Sequence, residues 1–108
     1  MASGQIIDIA RRYLARLREE HLPVLGLVLY GSYARGDARK DSDIDVLVLL
    51  ENSLTGEQIA EVWKRLEYMA IGIDSRIETW PVTARRFETE EVSPLIIVAR
   101  QEGIRIAA

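Results

Sequence analysis

Apolar residues along the chain follow two patterns, one with the period of a helix and one nearly unbroken. Between residues 5 and 18, Ile6, Ile9, Ala10, Tyr13, Leu14 and Leu17 recur at three- and four-residue intervals, which predicts an amphipathic helix. Its other face, with Arg11, Arg12, Arg16, Arg18, Glu19 and Glu20, mixes both signs of charge and reads as solvated surface rather than a binding patch. His21, beside Leu22 and Pro23, marks the loop that follows. Val24 to Tyr30 is apolar at nearly every position, as a strand covered on both faces would be. Gly31-Ser32 ends it, a polar loop runs from Tyr33 to Ser42, and a second apolar run spans Ile44 to Leu50.

Residues 53 to 56 are turn-like, and Thr55 with Gln58 three positions on fits a capping box. Ile59, Val62, Trp63, Leu66 and Met69 then repeat at helical spacing to about Ala70, and Gly72 is expected to end the helix. A third strand is predicted from about Arg76 to Val82, with Ile77, Thr79 and Pro81 alternating with Glu78, Trp80 and Val82. Pro81 places it at a sheet edge or near its own end. Ser93-Pro94 reads as an N-cap and first helical position, Gly103 as the stop, and Leu95, Ile96, Val98 and Ala99 as packing residues between them. Ile104 to Ile106 completes the pattern as a short strand. The order predicts an α+β fold of α/β-like character: a small mixed β-sheet flanked by helices, formed by residues 1–108 as a single domain.

Composition narrows the chemistry. With 48% hydrophobic and 29% charged residues the chain reads as an ordinary globular protein. No apolar run approaches a membrane span, and Asp8, Arg11 and Arg12 break any secretory pattern, so a cytoplasmic protein with no membrane partner is expected. Zero cysteines and one histidine leave oxygen as the ligand for any metal, favouring magnesium or manganese. A net charge of -3 argues against a nucleic-acid substrate.

Against this background the acids that open the second apolar run stand out. Asp43 and Asp45 are two positions apart, so on a strand they share a face, while Ile44 and Val46 point the other way. Their Cα atoms would be about 6.6 Å apart, and two negative charges at that separation repel by about 2.5 kcal/mol at an effective dielectric near 20. Water or a cation must relieve that. About ten residues earlier, at the end of the neighbouring strand, Gly31 permits close approach of a ligand, and the Ser32 hydroxyl with nearby backbone N–H groups can cradle phosphate oxygens. Metal on one strand and phosphate beside it make a nucleotide site. Asp41, Asp43 and Asp45 imitate the start of a calcium-binding loop, but Val46 stands where glycine is needed and Asn52 where glutamate is needed.

Gly31-Ser32, Ala34-Arg35-Gly36 and Ser42-Asp43-Ile44-Asp45-Val46 together resemble the minimal nucleotidyltransferases of the DNA polymerase beta-like superfamily. The resemblance implies a nucleotidyltransferase fold in which Asp43 and Asp45 bind Mg2+, or Mn2+, holding ATP, with Gly31 and Ser32 at its phosphates. It implies a third carboxylate on a later strand, with catalytic and metal-binding roles. Glu78 is the choice here and Asp74 the rival; aspartate is usual at that position. Arg35, Arg39 and Lys40 stand to neutralise the triphosphate or to be plain loop surface, and Tyr33 to pack on the loop or touch a base. The resemblance further implies transfer of AMP from ATP to a hydroxyl, on a helical toxin of the higher eukaryotes and prokaryotes nucleotide-binding (HEPN) class, in an antitoxin role. The alternative is a non-catalytic antitoxin that neutralises its partner by contact. Self-association is left open.

Overall fold

Ser3 begins the described part of the chain, which in this computed structural model is residues 3–107. Its side chain accepts from the Ile6 amide and caps helix α1, Gly4–Glu19. All six residues of the expected apolar stripe are buried. Strand β1, Val24–Tyr30, is followed by a single helical turn, α2, Ser32–Arg35, where the sequence reads as a Gly-Ser turn running into a polar loop. Two glycines make that turn: Gly31 precedes it at φ 76° and Gly36 closes it at φ 84°, its N–H donating to Ser32 O.

Strand β2, Ile44–Leu50, leads to α3, Gly56–Ile73, which starts at the Thr55–Gln58 capping box. The helix passes through Gly72 and stops one residue later. Asp74 ends it, because its carboxylate accepts from the Arg76 amide at 2.9 Å and holds the chain in a turn. Ile59, Val62 and Trp63 are only half-buried, so the helix packs mainly through Leu66, Met69 and Ala70. Strand β3 is Ile77–Thr83, and the segment after it forms a short helix not foreseen from the sequence, α4, Ala84–Thr89. Helix α5, Pro94–Glu102, and strand β4, Ile104–Ile106, follow as expected.

The sheet has the order β3-β2-β1-β4 and is mixed: β1 pairs antiparallel with β2 and β4, and β2 pairs parallel with β3. Pro81 therefore does lie on an edge strand. Alternation along β2 divides the core in two. Ile44, Val46, Val48 and Leu50 pack with α1 and α3, whereas Leu47 and Leu49 pack on the opposite face with Val28, Val82, Phe87, Ile96 and Ala99. Asp43 and Asp45 share the parity of Leu47 and Leu49, so they belong to the face covered by α4 and α5. Among the described residues no helix is long and apolar enough to cross a membrane.

Candidate active site

Strand register assembles the site. Tyr30, the last residue of β1, is the antiparallel partner of Asp45, and Asp45 is the parallel partner of Glu78. Tyr30, Asp45 and Glu78 thus form one row across three strands, on the face that also carries Trp80. Asp43 precedes β2 and is exposed, while Asp45 is half-buried.

The row meets the glycine turn directly. A Cβ placed on Gly31 would lie 2.2 Å from Asp45 Oδ2, so the carboxylate occupies space that only glycine leaves free. The φ of 76° at the same residue is a second reason for glycine. Helix geometry leaves the first amides of α2 without partners inside the turn, and Ser32 and Tyr33 supply them next to the carboxylate.

Electrostatics mark the same spot. The Asp45 carboxyl is raised to about 6, first by burial, then by Glu78 and by Asp43, with Arg35 pulling the other way. Tyr30 is pushed up to about 12 by burial and by the charges of Asp45 and Glu78. Asp43, Asp45 and Glu78 offer the oxygen donors that a hard divalent cation prefers, and Asp45 feels the charges of the other two with Arg35 opposing them. Among the described residues no group of three His, Cys, Asp or Glu side chains is placed to hold a metal ion; what favours a cation here is the oxygen chemistry of the acids and the repulsion felt at Asp45.

The other residues singled out from the sequence fall into place around this row. Arg35 is half-exposed and pairs with Asp37 at 3.3 Å and Glu102 at 4.0 Å, and its positive charge favours the ionised form of Asp45. Asp74 stands apart: Arg76 holds its carboxylate with contacts of 2.8 and 3.0 Å and keeps it below the usual carboxylate range. Arg76 also donates to the Tyr33 hydroxyl at 3.2 Å, which in turn donates to Arg39 O. Tyr33 therefore packs on its own loop, and Asp74 is tied up in clamping it. Residues the sequence reading missed are Tyr30, Glu67, Ile71, Trp80 and Leu95, which with Asp45 and Glu78 line a cavity of 580 Å3. Tyr30 could have been found from its place beside Gly31, whereas Glu67, Ile71 and Leu95 come from helices whose docking no local pattern reveals.

This fold, with a glycine turn on one strand and paired acids opening the next, matches the Nucleotidyltransferase domain over residues 10–106, and the chain belongs to that family. The spectinomycin 9-adenylyltransferase of Campylobacter jejuni is 30% identical over 92 residues, 85% of this chain and 33% of that enzyme. The protein adenylyltransferase MntA of Shewanella oneidensis is 33% identical over 66 residues, 60% of this chain and 45% of that one. The chain thus spans less than half the length of either relative. A crystal structure of a toxin-antitoxin with AMP-PNP shares the fold, with a TM-score of 0.55 at 22% identity over 88% of this chain and 70% of that one.

Proposed function

We propose that this chain transfers AMP from magnesium-bound ATP to a hydroxyl on a partner protein, a HEPN-type toxin, and so acts as an antitoxin in the cytoplasm. The observation that carries the reading is the Asp45–Glu78 pairing across β2 and β3, beside Asp43 and against Gly31. The names of two relatives as adenylyltransferases support the reaction class. The toxin-antitoxin structure with AMP-PNP supports an adenine nucleotide and a toxin partner.

In this reading Asp43, Asp45 and Glu78 hold the divalent cation, which when bound supplies charge neutralisation at the phosphates. Gly31 lets the phosphate chain approach the backbone, and the Ser32 hydroxyl and first α2 amides orient it. Arg35 offsets the triphosphate charge. The acceptor oxygen bonds to the α-phosphorus as the bond to the β-phosphate oxygen breaks; pyrophosphate leaves and the hydroxyl proton passes to Glu78.

Incubation of the purified chain with labelled ATP, magnesium and a helical toxin partner tests this. Label is expected on the partner, and Asp43→Ala and Asp45→Ala are each expected to abolish it. Toxin inhibition that persists unchanged in both variants, without labelling, would establish neutralisation by contact instead.

A further inference from the structure

The 580 Å3 cavity beside the acids does not stop at the sheet face; it wraps round the outer edge of β3, where Ile77, Thr79 and Trp80 line it together with Glu67 and Ile71 of α3. Backbone alternation fixes which groups face outward there. Arg76 O accepts from the Ile44 amide, so even-numbered residues of β3 bond to β2 and odd-numbered ones point to the free edge. Ile77 N is spent on Asp74 O, and Thr79 O is taken by the Trp63 indole N–H at 3.1 Å. Pro81 has no N–H to offer. Next to Glu78 this leaves one outward-facing window, the carbonyl of Ile77 and the amide of Thr79, while the carbonyl of Pro81 and the amide of Thr83 face the same edge farther from the acids.

The charge around that window is one-sided. Glu67, Asp45 and Glu78 all line the cavity and no lysine or arginine does. Glu67 is exposed and forms no ion pair among the described residues. A cation at Asp43, Asp45 and Glu78 would leave Glu67 the uncompensated charge of the groove. Ile71, 70% exposed, and Trp80, 42% exposed, supply apolar walls.

We propose, building on the transferase reading above, that the acceptor enters as an extended, basic polypeptide segment that adds to the edge of β3 at Ile77 and Thr79. The pairing carries its hydroxyl residue over Glu78, because side chains opposite one another on adjacent strands lie on the same face. A lysine or arginine of the segment meets Glu67. The continuity of the edge window with the acid row, and the groove's charge, select this occupant over a neutral helix or a second copy of this acidic chain.

The test uses ten-residue peptides with one central tyrosine flanked by lysines, labelled ATP and magnesium. Three comparison substrates accompany them: the same peptide N-methylated at the amides next to the tyrosine, a copy with glutamate for lysine, and an aminoglycoside. Labelling of the basic peptide is expected, with a loss of about tenfold on N-methylation, as removal of one or two backbone hydrogen bonds predicts. Glu67→Lys is expected to move the preference to the acidic peptide. Equal labelling of the N-methylated peptide, labelling of the aminoglycoside alone, or no labelled peptide while Mg·ATP binding persists overturns the edge-docking inference and leaves the transferase reading standing. Failure of the wild-type chain to bind Mg·ATP, read by a fluorescent ATP analogue, overturns both.

Discussion

Gly31 and Asp45 share a few cubic ångströms, and most of what is unusual about the chain follows from that. Gly31→Ala forces a methyl to within 2.2 Å of Asp45 Oδ2 and puts a side chain on a φ of 76°. The backbone strain alone costs about 1–2 kcal/mol, so a clear drop in thermal midpoint and loss of Mg·ATP binding are expected. An unchanged midpoint with intact binding would count against the packing described here. Asp45 gives the opposite sign. Its carboxyl is raised to about 6 from 3.8, so the folded state holds the proton more tightly than the unfolded one. Below the ordinary value both states are protonated and nothing is lost; as pH rises from that value to about 6 the folded state is progressively penalised, and above that the penalty stays constant. In chelator at pH 7.5, Asp45→Asn is therefore expected to be more stable than wild type by about 1–2 kcal/mol, allowing for the water that still reaches the side chain. The gap should close in denaturant titrations near pH 4, and magnesium should stabilise the wild type but not the variant.

Among the elements, the loop between α2 and β2 matters most, because it joins the glycine turn to Asp43. It is held from outside by Arg76, which bridges Asp74 and Tyr33 and reaches Lys40 O at 3.4 Å. Arg76→Ala removes that hold at a partly exposed place, so its effect on stability is expected to be under about 1 kcal/mol. Weakening of Mg·ATP binding by about fivefold is expected from the two loop hydrogen bonds lost. Calorimetric titration beside a thermal melt separates the two. A fall in midpoint with unaltered nucleotide affinity would mean that the loop holds its shape unaided. This clamp could not be read from the sequence, and the reason is instructive. Asp74 and Arg76 are two residues apart and their mutual bond is local, but Tyr33 lies on another element, and only the parallel pairing of β2 with β3 brings it near. The strands β1 and β2 were legible as unbroken apolar runs, and the shared face of Asp43 and Asp45 because strand side chains alternate with period two, both local signals. The turn α2 was not, since four helical residues between two glycines carry no periodic signal, and α4 was hidden by the polar run Ala84-Arg85-Arg86. Asp74 rather than Gly72 ended α3 because a carboxylate that captures the amide two residues on overrides a glycine that helical φ tolerates.

At the scale of the molecule, the edge strand that carries Glu78 is fixed from behind by one buried phenol. Tyr13 on α1 donates its hydroxyl to Leu66 O of α3 at 2.8 Å and lies 3.3 Å from Thr79 Oγ1 of β3, tying three elements together at full burial. Burial pushes this phenol up to about 12, so it stays neutral across the working range and the tie does not vary with pH. Thr79 faces the helices while its neighbour Glu78 faces the acids, so the tie supports the site without entering it. Tyr13→Phe keeps the ring and deletes the hydroxyl, and a loss of about 1–2 kcal/mol is expected, a drop in midpoint of roughly 4–16 °C for a chain of this size. Below the melting range, Mg·ATP affinity and the rate of label transfer should be retained. A variant that melts like wild type would show that the hydroxyl contacts add nothing net. A variant that melts lower and also transfers slowly at every temperature would mean that β3 shifts without them, and that the position of Glu78 is set by packing from the far side of the sheet.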